Sequence, residues 1–529
     1  MDKNLWESLG FNRILELIEP AGEAGRHHKQ HLLYYKPGRE ALLRKEYKSL
    51  QQLLSALKSD KKLSAALQSE LAAVPYLPQT LNALSKRPLL LHECFEVKQF
   101  VYYARRLREL CYAHNLQKLY PFPPLDKVFS LLAPDGLNSP AFVLSPAFDA
   151  KLAKQTELLQ DLQQQKRRME QQLLEAAQTK LHLQAPRAEL VISRLQSKQI
   201  QKIKKSGFYY LAEENFANCI FRLKDTPALA SVQKKIANLT EKLTETEDNV
   251  LQKISKQLAR YASVLQKTAN SVQILDWDFA KAQFALRYSC CLPNITSQLQ
   301  INVAKAVNLP LKISLEEQKR RYQSPDLNFT HQVNVLTGPN MGGKTTALQT
   351  LGQICLCTAY ALPVPAQYAK LCLFDQIWLN QDYGNKENLS SFGREIVSLS
   401  SALKKKGRSL FLFDELARGT NPTEGEAILL AVLQYLTQQN ALTLAATHFE
   451  KPAHLDWVAQ YAIKGIDPKA LAKLSRQTGS SLEAQLDKLN QLMDYGLVKL
   501  SGKTKPPQNA IPIAQALGLP EEIIQLIRL

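Results

Sequence analysis

The chain has 529 residues, 45% hydrophobic and 22% charged, enough for a folded core of about three domains and too apolar for a disordered polyelectrolyte. Its 67 Lys and Arg against 48 Asp and Glu give a net charge of +19, which favours a polyanionic partner. The eight cysteines form no CxxC pair and no His cluster stands beside them at zinc-ligand spacing, and a reduced compartment is expected. The first twenty residues carry early acids and no apolar run of signal-peptide length. The most apolar long stretch, 347–366, is interrupted by Gln349, Gln353 and Pro363. No membrane partner is expected, and the expected location is cytoplasmic.

In chain order, residues 1–150 read as a helical core. Ile14, Leu15, Leu17 and Ile18 fall on one helix face that Pro20 terminates, and further helices are predicted over 38–58, 62–73 and 93–115. The proline-rich stretch Tyr120 to Pro146 reads as a connection. Residues 151–226 read as an arm. Its first part, 151–185, is polar and strongly helical, with a narrow stripe of Leu152, Leu158, Leu159, Leu162, Met169 and Leu173. A basic run (Lys198, Lys202, Lys204, Lys205) and the sequence GFYYLAEENFANCIFRL then predict a small β tip. A second long helix is predicted over about 227–270, within a segment 227–294 that returns to the core. Two long helices around a β tip make a hairpin-like arm, although periodicity alone also admits an ordinary helical bundle. From 295 to 529 short apolar strands, VNVLT (333–337), SLFLF (409–413) and ALTLAAT (441–447), alternate with helices. That alternation predicts an α/β domain with a largely parallel sheet.

The strand VNVLT leads into Gly338-Pro339-Asn340-Met341-Gly342-Gly343-Lys344-Thr345, which fits GxxxxGKT and precedes a helix pattern. Glycines let backbone amides wrap a β-phosphate, and the helix N-terminus adds its positive dipole end. Lys344 is placed to reach the β- and γ-phosphates of ATP, and the Thr345 hydroxyl to ligate Mg²⁺. The strand SLFLF ends in Asp414 and Glu415. Here Asp414 is expected to hold Mg²⁺ through its water shell and Glu415 to polarise the attacking water. Thr447-His448 ends the third strand, where a polar side chain would sense the γ-phosphate.

TGPNMGGKTT, which runs through Thr346, resembles the P-loop of the MutS family. DELARGTNPTEGEAI (414–428) resembles that family's Walker B extension, THFE (447–450) its switch-histidine motif, and ENLSSFGREI (387–396) its serine loop. VPAQYAKLCLFDQIW (364–378), LDWDFAKAQFAL (275–286) and IPIAQALGLPEEII (511–524) are similar to the segment after the P-loop helix, the end of the lever helix and the closing helices. The resemblance is concentrated over 295–450. It implies an α-helical core with a long-helix clamp arm, followed by a C-terminal α/β P-loop NTPase domain. It also implies a homodimer whose composite ATP sites are completed in trans by Ser390 and Ser391, with Glu415 and His448 as catalytic residues. The chain starts directly with the helical core and ends at Leu529, so neither mismatch reading by a Phe-x-Glu wedge nor endonuclease activity is expected.

Two functions fit these expectations. The first is an ATP-binding and ATP-hydrolysing clamp on double-stranded or branched DNA, of mismatch-repair or recombination type, supported by the charge and by the basic run at the arm tip. The second rests on RYQSPDLNF (321–329) and NQLMDYGLVKL (490–500), which resemble the MutS-like reactivase ATPase of the adenosylcobalamin-dependent lysine 5,6-aminomutase system. In that role the arms would grip a protein partner.

Overall fold

The structure, a computed structural model, describes residues 3–182, 187–338, 343–380, 390–449, 451–466 and 492–500, together with Ile523 and Leu526. These fall into two compact units, one of residues 73–109 and 121–270, the other of 1–72, 110–120 and 271–529.

In the first unit, two long helices, Ala150–Leu181 and Pro227–Ala259, pack side by side. Each begins at a built N-cap: Asp149 accepts from Lys151 N, and Thr226 accepts from Leu229 N with Pro227 in the first turn. Lys253, near the end of the second helix, forms a 2.9 Å ion pair with Asp149 at the start of the first, so the pair is antiparallel. At the other end lies a three-stranded antiparallel sheet of β1 (Glu189–Ser193), β2 (Tyr209–Glu214) and β3 (Asn218–Leu223), ordered β1-β3-β2. One face of this sheet is closed by the helix Ser197–Ser206 and the end of the first long helix: Leu190, Ile192, Tyr209, Cys219 and Phe221 pack with Ile203, Ala177 and Leu181.

The structure departs from expectation twice here. The second long helix stops at Ala259 and a separate helix, Ala262–Arg287, begins after two residues. No Gly or Pro marks the break. The N–H groups of Arg260 and Tyr261 reach back three residues, to Gln257 and Leu258, which tightens and ends the last turn. The stretch Tyr120 to Pro146 contains a helix, Asp126–Leu132, because Val128, Phe129 and Leu132 bury one face between the prolines.

In the second unit, short helices near the N-terminus pack on an α/β layer. A four-stranded sheet, ordered β4-β8-β5-β6, is built from β4 (Asn294–Ile295), β5 (Ile301–Ala304), β6 (Leu327–Phe329) and β8 (Tyr368–Leu371). The main sheet has β7 (Val333–Thr337), β9 (Gln376–Leu379), β10 (Ser409–Asp414), β11 (Ala441–Ala446), β12 (Ala459–Ile466) and β13 (Met493–Lys499), ordered β13-β12-β7-β11-β10-β9. Its pairings are parallel except for β13, which runs antiparallel along the edge. The strands are apolar on both faces because both faces are covered. Leu410, Leu412, Leu442 and Leu444 pack toward the helix Lys344–Ala359, while Phe411, Phe413 and Ala445 pack with residues of the helices Ser391–Leu403 and Pro422–Leu436. Among the described residues no helix is long and apolar enough to cross a membrane.

Candidate functional site

The site forms where β7, β11 and β10, neighbours in the sheet, end together. β7 delivers Gly338 with φ 153°, and Gly343 caps the helix Lys344–Ala359 with φ 85°. Glycine alone takes such angles without strain. Space argues the same way: a Cβ on Gly343 would stand 2.9 Å from the Tyr495 ring, and one on Gly338 3.2 Å from the Ile463 Cβ. Of the other predicted residues, Pro339, Asn340, Met341 and Gly342 lie outside the described residues, as do 387–389, Glu450, 490–491 and all of 511–524 except Ile523.

Lys344 opens the helix. Its ammonium donates to the Gly338 carbonyl at 2.9 Å and lies 3.2 Å from His448 Nε2. The side chain is buried, and loss of water lowers its pKa below the usual lysine value, opposed by the charges of Glu415 and Asp414. A dry cation at a helix N-terminus is suited to an arriving phosphate. Asp414, at the end of β10, accepts a hydrogen bond from Thr345; burial pushes its carboxyl above the usual aspartate range, and that hydrogen bond pulls the other way. Thr345 and Asp414 together present the hard oxygens that Mg²⁺ prefers. Among the described residues no three His, Cys, Asp or Glu side chains cluster as a metal site. Thr346 is half-buried, and its carbonyl accepts from the Thr350 hydroxyl within the helix.

Glu415 follows with φ 56°, and Ala417 with φ 63°. A left-handed non-glycine residue costs about 1–3 kcal/mol and persists only where its surroundings hold it. Here Glu415 N donates to Ala446 O at 2.9 Å and Ala417 N donates to Glu395 Oε2 at 3.1 Å. The Glu415 carboxylate meets His448 Nε2 through Oε1 and Arg418 Nη1, at 2.9 Å, through Oε2. His448 is placed by its neighbour: Thr447 N donates to Leu336 O, tying the end of β11 to β7. Thus Gly338, Gly343, Lys344, Thr345, Asp414, Glu415 and His448 lie together where these strands end.

Ser390 and Ser391 begin the helix Ser391–Leu403. Ser390 caps the helix Ser391–Leu403 by accepting from Gly393 N at 3.1 Å, and the Ser391 hydroxyl lies close to Gly419. Both serines are exposed.

Asn380, at the end of β9, has no motif to announce it. Its Oδ1 accepts from Asp414 N, and its amide donates to Asp414 O at 2.8 Å and to Glu395 Oε1 at 2.7 Å. Tyr495 on β13, more than 150 positions away, packs over the loop glycine Gly343. Asn380 sits in none of the motifs above and Tyr495 lies in 490–500, where the sequence assigns no site role; the sheet order brings both in.

Residues 334–527 match the family model described as MutS domain V, a match that begins inside β7 and spans every site residue named above. The region that carries the site is thus similar to MutS domain V. Similar curated proteins include the protein named Endonuclease MutS2 of Agathobacter rectalis, 29% identical over 304 residues, or 56% of this chain and 35% of that one. Those of Alkaliphilus metalliredigens (29% over 284 residues, 53% and 33%) and Clostridium tetani (28% over 302 residues, 56% and 35%) are similar to the same degree. The chain thus spans about a third of the length of these MutS-family relatives. Their names are those of nucleases, and they lend the reactivase reading no support.

Proposed function

We propose that this chain is a MutS-family protein that binds ATP with Mg²⁺, hydrolyses it, and uses the cycle to open and close a homodimeric clamp on double-stranded or branched DNA. The observation that carries the nucleotide part is the gathering of Lys344, Thr345, Asp414, Glu415 and His448 at the ends of three adjacent strands. In this reading the loop from Gly338 to Thr346 cradles the phosphates, and the ammonium of Lys344 exchanges its neighbours Gly338 O and His448 for phosphate oxygens. Thr345 and Asp414 hold the Mg²⁺, which offsets the charge that builds up on the transferred phosphoryl group. Glu415 orients the attacking water. His448 links the γ-phosphate position to Glu415, so that nucleotide state alters how the carboxylate is held.

The exposed serines Ser390 and Ser391 are available to a second copy, which would complete each composite site. The DNA part is supported by the +19 charge and by the antiparallel helix pair with its basic tip, which in this reading is the clamp arm. The test is binding of purified protein to plain, mismatched and branched duplexes across a salt series, with and without ATP. Submicromolar binding at physiological salt that responds to ATP supports the clamp. Binding that ignores ATP and vanishes with modest salt overturns it.

A further inference from the structure

The three-stranded module at the end of the long helices has its own closed core, yet two large apolar side chains stand outside it. Leu195 is 94% exposed and Phe216 fully so. Both lie at the end of the sheet away from the long helices. Leu195 follows β1 and Phe216 sits in the turn between β2 and β3. Ser193 pairs with Asn218, and Arg194 N donates to Ala217 O at 2.9 Å, so the two loops are bonded to each other one residue from each apolar side chain.

The turn that carries Phe216 is fixed. Asn215 N donates to Asn218 O at 3.0 Å, and Asn215 Oδ1 accepts from Ala217 N at 3.1 Å and from Asn218 N at 2.8 Å. An ion pair between Arg194 and Glu214 braces the two loops from the side. Phe216 is therefore held out into water by a turn with its hydrogen bonds satisfied. Chain entropy does not place it there, and the module's core does not need it.

The surroundings indicate the occupant. Residues 187–224 contain eight Lys and Arg against three Glu. Lys198, next to the tip at the start of the helix Ser197–Ser206, is exposed, as are Lys204 and Lys205 at its far end. A protein partner with an apolar cleft would not call for this charge. Cations that take phosphates beside bare apolar side chains match a duplex opened at one base step.

We propose that Leu195 and Phe216 form an apolar wedge that enters a base step of duplex DNA while the neighbouring cations hold the phosphates. The inference rests on the DNA reading above and adds to it the point of contact and its chemistry. A wedge of this kind favours steps that unstack easily, such as TA, and mismatched or bulged sites, without reading sequence through hydrogen bonds.

The test uses full-length protein and a duplex with 2-aminopurine beside a TA step. Wild-type binding raises the fluorescence as the base unstacks. The Leu195→Ala/Phe216→Ala double variant binds at least about fivefold more weakly and loses the rise, with an unchanged slope of log affinity against log salt. Lys198→Ala does the converse: it keeps the rise and flattens the slope by about 0.9, one phosphate contact. Phe216→Leu, which keeps a large apolar group, retains the rise. Wild-type affinity and an intact rise in the double variant overturn the wedge and leave the DNA reading standing. A wild-type protein that binds DNA with no rise does the same, and one that binds no DNA removes both.

Discussion

The ammonium of Lys344 lies 3.2 Å from His448 Nε2, across 104 residues of chain, and the same imidazole nitrogen touches Glu415 Oε1. One histidine thus stands between the proposed phosphate-binding cation and the proposed hydrolytic acid. Replacing either neighbour separates the two functions. Lys344→Ala should abolish tight ATP binding, while Glu415→Gln should retain it and slow hydrolysis by a factor on the order of 10²–10⁴. Nucleotide-binding titration and single-turnover hydrolysis report the two separately. Wild-type ATP affinity in the lysine variant would remove the P-loop role, and unchanged turnover in the glutamine variant would remove the general-base role.

Asn380 should matter for turnover and not for affinity. It holds both backbone groups of Asp414 and reaches Glu395, which in turn holds the left-handed Ala417. Asn380→Ala frees the strand end that aims Asp414 and Glu415. The expected result is a fall in kcat of about tenfold or more with ATP affinity within about twofold of wild type. A matching loss of affinity would show that the residue only supports the fold of the loop.

If the serine loop acts across a dimer, two inactive variants should rescue each other. Ser391→Ala and Lys344→Ala protein, each inactive alone, are mixed after dissociation and reassociation. A hybrid dimer then contains one site with both an intact Lys344 and an intact Ser391 from the other copy. Recovery of hydrolysis on mixing is the expected outcome, and a mixture no more active than its parts would confine each site to one chain.

Burial raises the Asp414 carboxyl above its ordinary value. A raised folded-state pKa means that below the unfolded value, near 3.8, the group costs nothing, and that stability is lost as pH rises through the folded value. Asp414→Asn should therefore melt at a higher temperature than wild type at pH 7, with the difference shrinking toward pH 3.5, while Mg²⁺ dependence of nucleotide binding disappears. A melting difference independent of pH would mean that the carboxylate is not strained by burial.

Much of this was legible in the sequence for local reasons. Glycines at 338 and 343 are demanded by φ angles that no other residue takes freely, so the loop is visible as a spacing. VNVLT, SLFLF and ALTLAAT read as strands because a strand covered on both faces must be apolar throughout. The helix over 40–59 follows from the spacing of Leu43, Tyr47, Leu50, Leu54 and Leu57, all buried. The break at Arg260–Tyr261 was not legible, since no Gly or Pro marks it and the turn simply tightens. The helix Asp126–Leu132 was hidden by its proline-rich flanks.

The amino-acid sequence by itself marked which residues are proposed to meet phosphate and metal, because that chemistry needs particular side chains at fixed short spacings along one chain. Only the tertiary structure decided which distant groups aim them. Asn380 and Tyr495 reach the site through the order β13-β12-β7-β11-β10-β9, which sets neighbours that no spacing along the chain encodes. Exposure of Leu195 and Phe216 is likewise a tertiary fact. Their types read as core, and only the closed packing of the β module leaves them in water.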